Sequence, residues 1–284
     1  MLDYLSSGYM IGSRFAPATP TRTQLGRSGA HLGRKPGESL EFIDFRDYQP
    51  GDDLRRLDWN AYARSDSLVV RVYREEIAPH LDIVLDSSIS MGVRPQKEEA
   101  TITLAGVLTG SADSGGYSHR GWRLNDDCLE IENSHGPIEQ WNMQPLNGRR
   151  DSGEVFAATP PRFVHRGVRI FVSDLLFPTD PEIVASILSR EAAVSGVVQL
   201  LDSEDRDPPQ NAMLRLVDSE SGEIRELRVD GDVRRRYSRR LETHSNQWRA
   251  ACRRRGILFA SLTAESLLDG NVDPLIQGGV LECR

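Results

Sequence analysis

The chain has 284 residues and a mass of 31.8 kDa, with 35 Lys and Arg against 42 Asp and Glu, a formal charge of −7. A length near 300 fits one large domain or two small ones, and 38% hydrophobic with 27% charged residues is ordinary globular usage. These values exclude a collagen, a mostly disordered tail and a strongly basic nucleic-acid binder, and no apolar run approaches the ~20 residues that span a bilayer.

Met1 to Pro20 show no basic flank followed by an apolar core, so no signal peptide is expected. The three cysteines, Cys128, Cys252 and Cys283, are scattered, which argues against a disulfide scaffold and for a reducing, cytoplasmic setting. Met1 to Gly37 is rich in Gly, Ser, Thr and Arg with weak periodicity, and reads as loops with one edge strand. Leu40, Phe42 and Phe45 alternate with charged residues, and Tyr48 to Asp53 reads as a turn. Ser67 to Tyr73 is β-branched and aromatic, a predicted strand.

The strongest predicted strand is Leu81-Asp82-Ile83-Val84-Leu85, which runs directly into Asp86-Ser87-Ser88-Ile89-Ser90. A helix is expected from about Gln96 to Ser111. From Gly115 to Pro161 the pattern is poor, with a short hairpin around Trp122, Leu124, Leu129 and Ile131 and a loop from Asn147 to Gly153. Val168 to Val172 is a second buried strand ending at Ser173-Asp174. Asp180-Pro181-Glu182 opens a helix, with Ile183, Val184, Ile187, Leu188 and Val194 as its apolar face and Gly196 to close it. Val197 to Leu201 is a third strand, Met213 to Val229 a hairpin turning at Ser219 to Gly222. Asp232 is expected to cap a long helix ending at Gly256. Val233, Tyr237, Leu241, His244, Trp248 and Cys252 share one of its faces, so His244 reads as a core residue and not a ligand. Ile257 to Ala260 is a last strand. Strands alternating with helices predict an α/β fold, a mainly parallel sheet covered on both faces. In such folds ligands sit beyond the carboxyl ends of the strands, which singles out the loops after Leu85 and Val172.

Both loops begin with an acid. Asp86, Ser88 and Ser90 offer one carboxylate and two hydroxyls within five residues, and Asp174 brings a second carboxylate from another strand. Hard oxygen donors of this type suit Mg²⁺, with Mn²⁺ or Ca²⁺ as substitutes. A D-x-S-x-S loop between strand and helix is similar to the metal-ion-dependent adhesion site of von Willebrand A domains. Two neutral serine ligands leave such an ion electrophilic, with an open position for a partner's carboxylate. The plainer reading is that Asp86, Ser88 and Ser90 brace a turn and a helix start.

A second cluster runs from Glu41 to Trp59 as E-F-x-D-x-R-x-Y-x-P-G-D-D-x-R-x-L-D-W, followed by Ala63-Arg64. The residues alone favour a turn braced by ion pairs, with Asp58 or Asp53 capping a short helix. The sharper reading is a partner-binding surface built from Asp52, Asp53, Arg55, Asp58, Trp59 and Arg64. This signature, with Asp86 to Met91, Lys97 at the start of the first helix, Val168 to Asp174 and Leu216 to Glu223, resembles the bacterial domain-of-unknown-function family fifty-eight. The resemblance implies a β-rich region over 1–77 and a von Willebrand A-like, Rossmann-like domain over 78–284. It also implies association with a MoxR-type AAA+ ATPase.

One departure concerns the metal site. The family's G-G-T-like loop, which supplies a third hydroxyl, is replaced by Asn147 to Gly153, which contains no Thr; either Ser152 or water takes its place, or the metal is held weakly. An arginine of that loop close to the ion would oppose it. The nucleophile elbow, P-loop and H-E-x-x-H motifs are absent. Arg234 to Arg236, Arg239-Arg240 and Arg253 to Arg255 give the last helix a basic face that could touch nucleic acid or an acidic partner; in a net acidic chain the default reading is a solvated face. The expected function is therefore non-enzymatic: a Mg²⁺-dependent interaction module at Asp86, Ser88, Ser90 and Asp174, acting as adaptor of that ATPase in protein assembly or maturation. No membrane span is expected. The competing class is a metal-dependent hydrolase, phosphoesterase-like, using Asp86 and Asp174. Asp82 fits it poorly, since four strand residues place it ~13 Å from Asp86.

Overall fold

The structure, a computed structural model, describes residues 1–19, 40–49, 57–65, 67–75, 79–209, 212–217 and 224–284. The chain forms two compact units, one of Met1–Gln24 with Pro79–Arg284 and a smaller one of Leu25–Ala78. In chain order the elements begin with α1 (Leu2–Gly12), β1 (Phe15–Pro17), β2 (Leu40–Asp47), α2 (Trp59–Ser65) and β3 (Val69–Glu75). There follow β4 (His80–Asp86), α3 (Ile89–Gly92), α4 (Pro95–Gly115), β5 (Ser118–Leu124), β6 (Cys128–Glu130), α5 (Ser152–Ala158) and β7 (Val168–Ser173). The rest are α6 (Pro181–Ser189), β8 (Val194–Leu201), α7 (Ser203–Arg206), β9 (Ala212–Val217), β10 (Ile224–Val229), α8 (Gly231–Arg254), β11 (Leu258–Thr263), α9 (Ala264–Leu268), α10 (Asp273–Gln277) and β12 (Leu281–Cys283).

The larger unit is an α/β fold around a six-stranded sheet of order β11-β8-β7-β4-β5-β6. Every pairing is parallel except β5 with the edge strand β6. Numbered along the chain, these strands run 3-2-1-4-5-6, the doubly wound order, and the order reverses between β4 and β7. Alternation along β4 feeds two cores. Leu81, Ile83 and Leu85 join α1, α4, α9 and α10 on one face, while Val84 joins α5, α6 and α8 on the other. Burial on both faces explains why β4 and β7 read as continuous apolar runs. Among the described residues no helix is long and apolar enough to cross a membrane.

Several expectations need correction. The first residues form a helix and not loops: α1 packs on α4 through glycines, where a Cβ on Gly8 or Gly106 would lie 2.0 Å from the Thr103 carbonyl oxygen or 2.1 Å from that of Leu5. β1 pairs with β12, so residues 1–19 belong with the larger unit. The helix after Asp180 stops at Ser189, and Val194 and Gly196 lie in β8; Gly196 is needed for a close approach, with Ile170 Cδ1 2.8 Å from a would-be Cβ. Asp230, not Asp232, caps α8, its carboxylate accepting from the Asp232 and Val233 amides. The loop predicted to reach Gly153 ends two residues earlier, because Asp151 caps α5 and Ser152 opens it. The turn at Ser219 to Gly222 lies outside the described residues.

In the smaller unit β2 and β3 form an antiparallel ribbon whose register shifts between Phe42 and Asp44. Asp58 is buried and its Oδ1 accepts from the Asn60 and Ala61 amides at 2.9 and 3.0 Å, which fixes the start of α2.

Candidate functional site

The switch point between β4 and β7 is where a doubly wound sheet leaves a crevice, because the connections from these neighbours depart to opposite faces. The ends of these two strands carry Asp86 and, one residue past Ser173, Asp174. Asp86 is 1% exposed and fully engaged. Its Oδ1 accepts from the Ser88 amide at 2.9 Å and from Ser152 Oγ at 2.7 Å; its Oδ2 accepts from Ser173 Oγ at 2.6 Å. Burial and the neighbouring Asp174 push the Asp86 carboxyl above its ordinary range, against the pull of the three serines.

The plainer reading of the D-x-S-x-S loop holds for one residue of three. Asp86 braces the turn through the Ser88 amide. Ser88 occupies the N-cap of α3, yet its hydroxyl makes no cap bond and instead lies 3.0 Å from Ser90 Oγ. Both serines are half-buried, so two hydroxyls stand together just past the end of β4.

The middle loop supplies the third hydroxyl. Gly148 bridges to Ser88 as in a parallel ladder, with the Ile89 amide donating to the Gly148 carbonyl at 2.7 Å and the Gly148 amide to the Ser87 carbonyl at 2.9 Å. A Cβ at Gly148 would lie 2.6 Å from Asn125 Oδ1, so only glycine passes this close. Clamped in this way, the loop delivers Ser152 to Asp86. Arg150 of the loop turns elsewhere, its Nη1 donating to the Asp126 carbonyl at 2.9 Å, while the Arg149 backbone amide donates to Asp126 Oδ1 at 2.8 Å and its side chain is exposed. Asp151 is spent on capping α5 and on Thr179, whose hydroxyl it accepts at 2.8 Å.

Asp174 is 1% exposed and has a permanent cation. Lys97 Nζ donates to Asp174 Oδ2 and to Asp205 Oδ2, both at 2.8 Å, and is itself 2% exposed. Burial works to lower the Lys97 pKa, but the two carboxylates overcome it and hold the ammonium well above its ordinary value. Asp174 Oδ1 accepts from the Leu176 amide at 3.0 Å. Asp205 belongs to α7, where Asp202 and Asp205 form a reciprocal capping box and Arg94 reaches Asp202 at 2.6 Å and Glu204 at 2.9 Å.

The structure thus gathers Asp86, Ser88, Ser90 and Asp174 at one strand-end crevice and adds Ser152, Ser173, Lys97 and Asp205. Lys97 was legible only through the family resemblance, which places it at the start of α4. Asp205 lies 108 residues away from it and left no trace. Among the described residues no cluster of three His, Cys, Asp or Glu side chains forms a metal site, so any ion here depends on the serine hydroxyls. Asp82 is in another environment, fully buried and accepting from Trp122 Nε1 at 2.8 Å and the Val164 amide at 3.1 Å. His244 Nε2 sits 2.5 Å from the Leu175 carbonyl.

Of the second cluster, Asp52, Asp53 and Arg55 lie outside the described residues. Asp58 is a helix cap. Trp59 is 62% exposed and meets Tyr62 edge-on at 6.4 Å, and Arg64 is exposed with its Nε on the Asn60 carbonyl.

The uncharacterized proteins Mb1516 of Mycobacterium bovis and Rv1480 of Mycobacterium tuberculosis are each 27% identical over 231 residues, spanning 76% of this chain and 72% of theirs. Among solved structures, the conserved hypothetical protein BatB from Bacteroides thetaiotaomicron is similar at 10% identity over 70% of this chain and 98% of that one, with a TM-score of 0.32. An aerotolerance-related membrane protein from Bacteroides fragilis aligns at 14% identity over 60% of this chain and 94% of that one, with a TM-score of 0.29. A family model matches residues 44–131 and 142–247, which take in both the D-W signature from Asp44 onward and the strand-end crevice, and by that match the chain belongs to the family described as "Protein of unknown function DUF58".

Proposed function

We propose that this chain is a von Willebrand A-like, metal-dependent interaction module of the cytoplasm. In this reading it is no enzyme but an adaptor of a MoxR-type AAA+ ATPase in protein assembly or maturation. The 3-2-1-4-5-6 strand order with an antiparallel edge supports the von Willebrand A-like reading. The single observation that carries the functional one is the arrangement of hydroxyls: Ser152 on Asp86, beside Ser88 and Ser90 with no capping duty.

The donor set fits Mg²⁺ in chemistry: every candidate ligand is a hard oxygen, and the hydroxyls add no charge. Asp86, Ser88, Ser90, Ser152 and Asp174 would hold the ion. A divalent cation there acts as a Lewis acid with a position open to an incoming carboxylate. Asp86, Asp174 and Asp205 against Lys97 leave the crevice two net negative charges, which a divalent ion balances, so a partner's carboxylate would be drawn by the ion's open position and not by an excess of positive charge. Lys97 Nζ holds Asp174 Oδ2 in place meanwhile. Phosphoester turnover separates the hydrolase alternative from this reading, since the hydrogen bonds on both oxygens of Asp86 constrain a nucleophile and a metal ligand alike.

The test is calorimetric titration of Mg²⁺ and Mn²⁺ into wild type, Asp86→Asn and the double variant Ser88→Ala/Ser90→Ala, followed by capture from lysate with and without chelator. Binding lost in both variants, with chelator-sensitive capture of an AAA+ ATPase, is the expected result. Turnover of generic phosphoesters that disappears in Asp86→Asn would overturn it.

A further inference from the structure

The 24-residue helix α8 carries eight arginines and Arg255 follows its last turn, and the structure separates the nine by use. Four take carboxylates of this chain. Arg234 grips Asp207 with two nitrogens, Nε at 2.5 Å, and Arg235 pairs with Asp232. Arg254 Nε, at 2.6 Å, and Arg255 Nε, just past the last turn and at 3.1 Å, converge on Glu182. Arg249 lies over the Phe259 ring, 5.4 Å from its centroid. Arg236, Arg239, Arg240 and Arg253 are exposed, and among the described residues none of them has an ion-pair partner.

Three of these form a group. At 100° per residue, Arg239 points away from Trp248, Ala251 and Cys252, the buried side of the helix, while Arg236 and, one turn after it, Arg240 lie on the flank of that side next to Ala251. Arg236 is i,i+3 to Arg239 and i,i+4 to Arg240, and Arg235 is i,i+4 to Arg239, so like charges face one another on adjacent turns. Such spacing destabilises a helix instead of supporting it. Asp230, the acid at the helix start, is committed to the Asp232 and Val233 amides. Asp230 also attracts Arg236, but Arg239 and Arg240 add charge for which the described residues record no ion-pair partner.

We infer that the exposed face of α8 centred on Arg236, Arg239 and Arg240 is a docking surface for an acidic segment of a partner protein. Charge complementarity sets the class. A net charge of −7 repels a long polyanion from the molecule as a whole, so a short, locally matched anion is favoured over nucleic acid. The same helix shows what its guanidinium groups take, since every charged partner recorded for them is a carboxylate, gripped by a planar fork that suits it. The position is suitable as well. Tyr237 Oη donates to the Asp205 carbonyl at 2.6 Å, which ties this half of α8 to the carboxyl end of the sheet. The surface stands independently of the metal reading, so the experiment is run with chelator present.

A fluorescein-labelled oligoglutamate peptide is titrated by anisotropy into the full chain, wild type and Arg236→Gln/Arg239→Gln/Arg240→Gln, at low and at physiological salt. Single-stranded oligothymidylate and phosphatidylserine vesicles are the comparison probes, and Arg162→Gln, another exposed arginine, is the control. The expected result is peptide binding that weakens with salt, is lost at least ~10-fold in the triple variant and is unchanged in the control. The triple variant should melt close to wild type, since relief of the like-charge contacts offsets the loss of the Arg236–Asp230 attraction. Peptide binding that survives the triple substitution, no peptide binding at all, or tighter binding of oligothymidylate or vesicles each overturns the proposal.

Discussion

Lys97 is the residue on which the crevice turns. A buried ammonium shared by Asp174 and Asp205 leaves two acids without compensation when it is removed. Breaking a buried pair from one side costs about 3–5 kcal/mol, whereas removing both partners costs far less. Lys97→Met is therefore expected to destabilise by that amount in urea unfolding, and adding Asp174→Asn should restore much of the loss. If Lys97→Met unfolds like wild type, Lys97 does not hold the site together. Ser152 was legible only as a possible stand-in for a missing Thr, because nothing local shows that Gly148 clamps its loop beside Ser88. Asp86 and Ser88 were legible as a motif. That Ser88 leaves its cap position unused needed coordinates, since a serine at a helix start ordinarily caps it.

At the scale of elements, the contact of α1 with α4 was the largest surprise. Its glycine stripe, Gly8 and Gly12 against Gly106 and Gly110, lets two backbones touch, and each would-be Cβ meets a carbonyl oxygen of the facing helix at 2.0–2.3 Å. Gly106→Ala gains about 1 kcal/mol of helix propensity. A 2.1 Å contact with the rigid Leu5 carbonyl outweighs it, and overpacking of this kind costs about 1–3 kcal/mol. A net loss of stability in denaturant melts is expected. A stabilised Gly106→Ala would mean that α1 does not sit there. The sequence hid this element because α1 is short and its apolar stripe is diluted by Ser6, Ser7, Gly8 and Gly12. By contrast, β4, β7 and the strand-to-helix steps were legible, since burial on both faces forces unbroken apolar runs.

For the whole molecule, the three cysteines report on packing. Cys252 is buried and Cys128 half-buried, and burial pushes both thiols up to about 12, whereas Cys283 is exposed. Only thiolates alkylate readily. At neutral pH Cys283 should react with iodoacetamide in the native protein, and Cys252 only after unfolding, as mass spectrometry of digests would show. Early labelling of Cys252 contradicts the packing of α8 on the sheet.

Periodicity, strand-end acids and turn residues determined by themselves that the chain is α/β, where its central strands lie and which carboxylates top them, because those features arise from neighbours in the chain. Tertiary structure alone decided that an N-terminal helix locks onto α4, that Ser152 and Lys97 complete the crevice and that Asp205 answers Lys97 from 108 residues away. Such contacts are fixed by which surfaces pack together, and local sequence leaves no record of that.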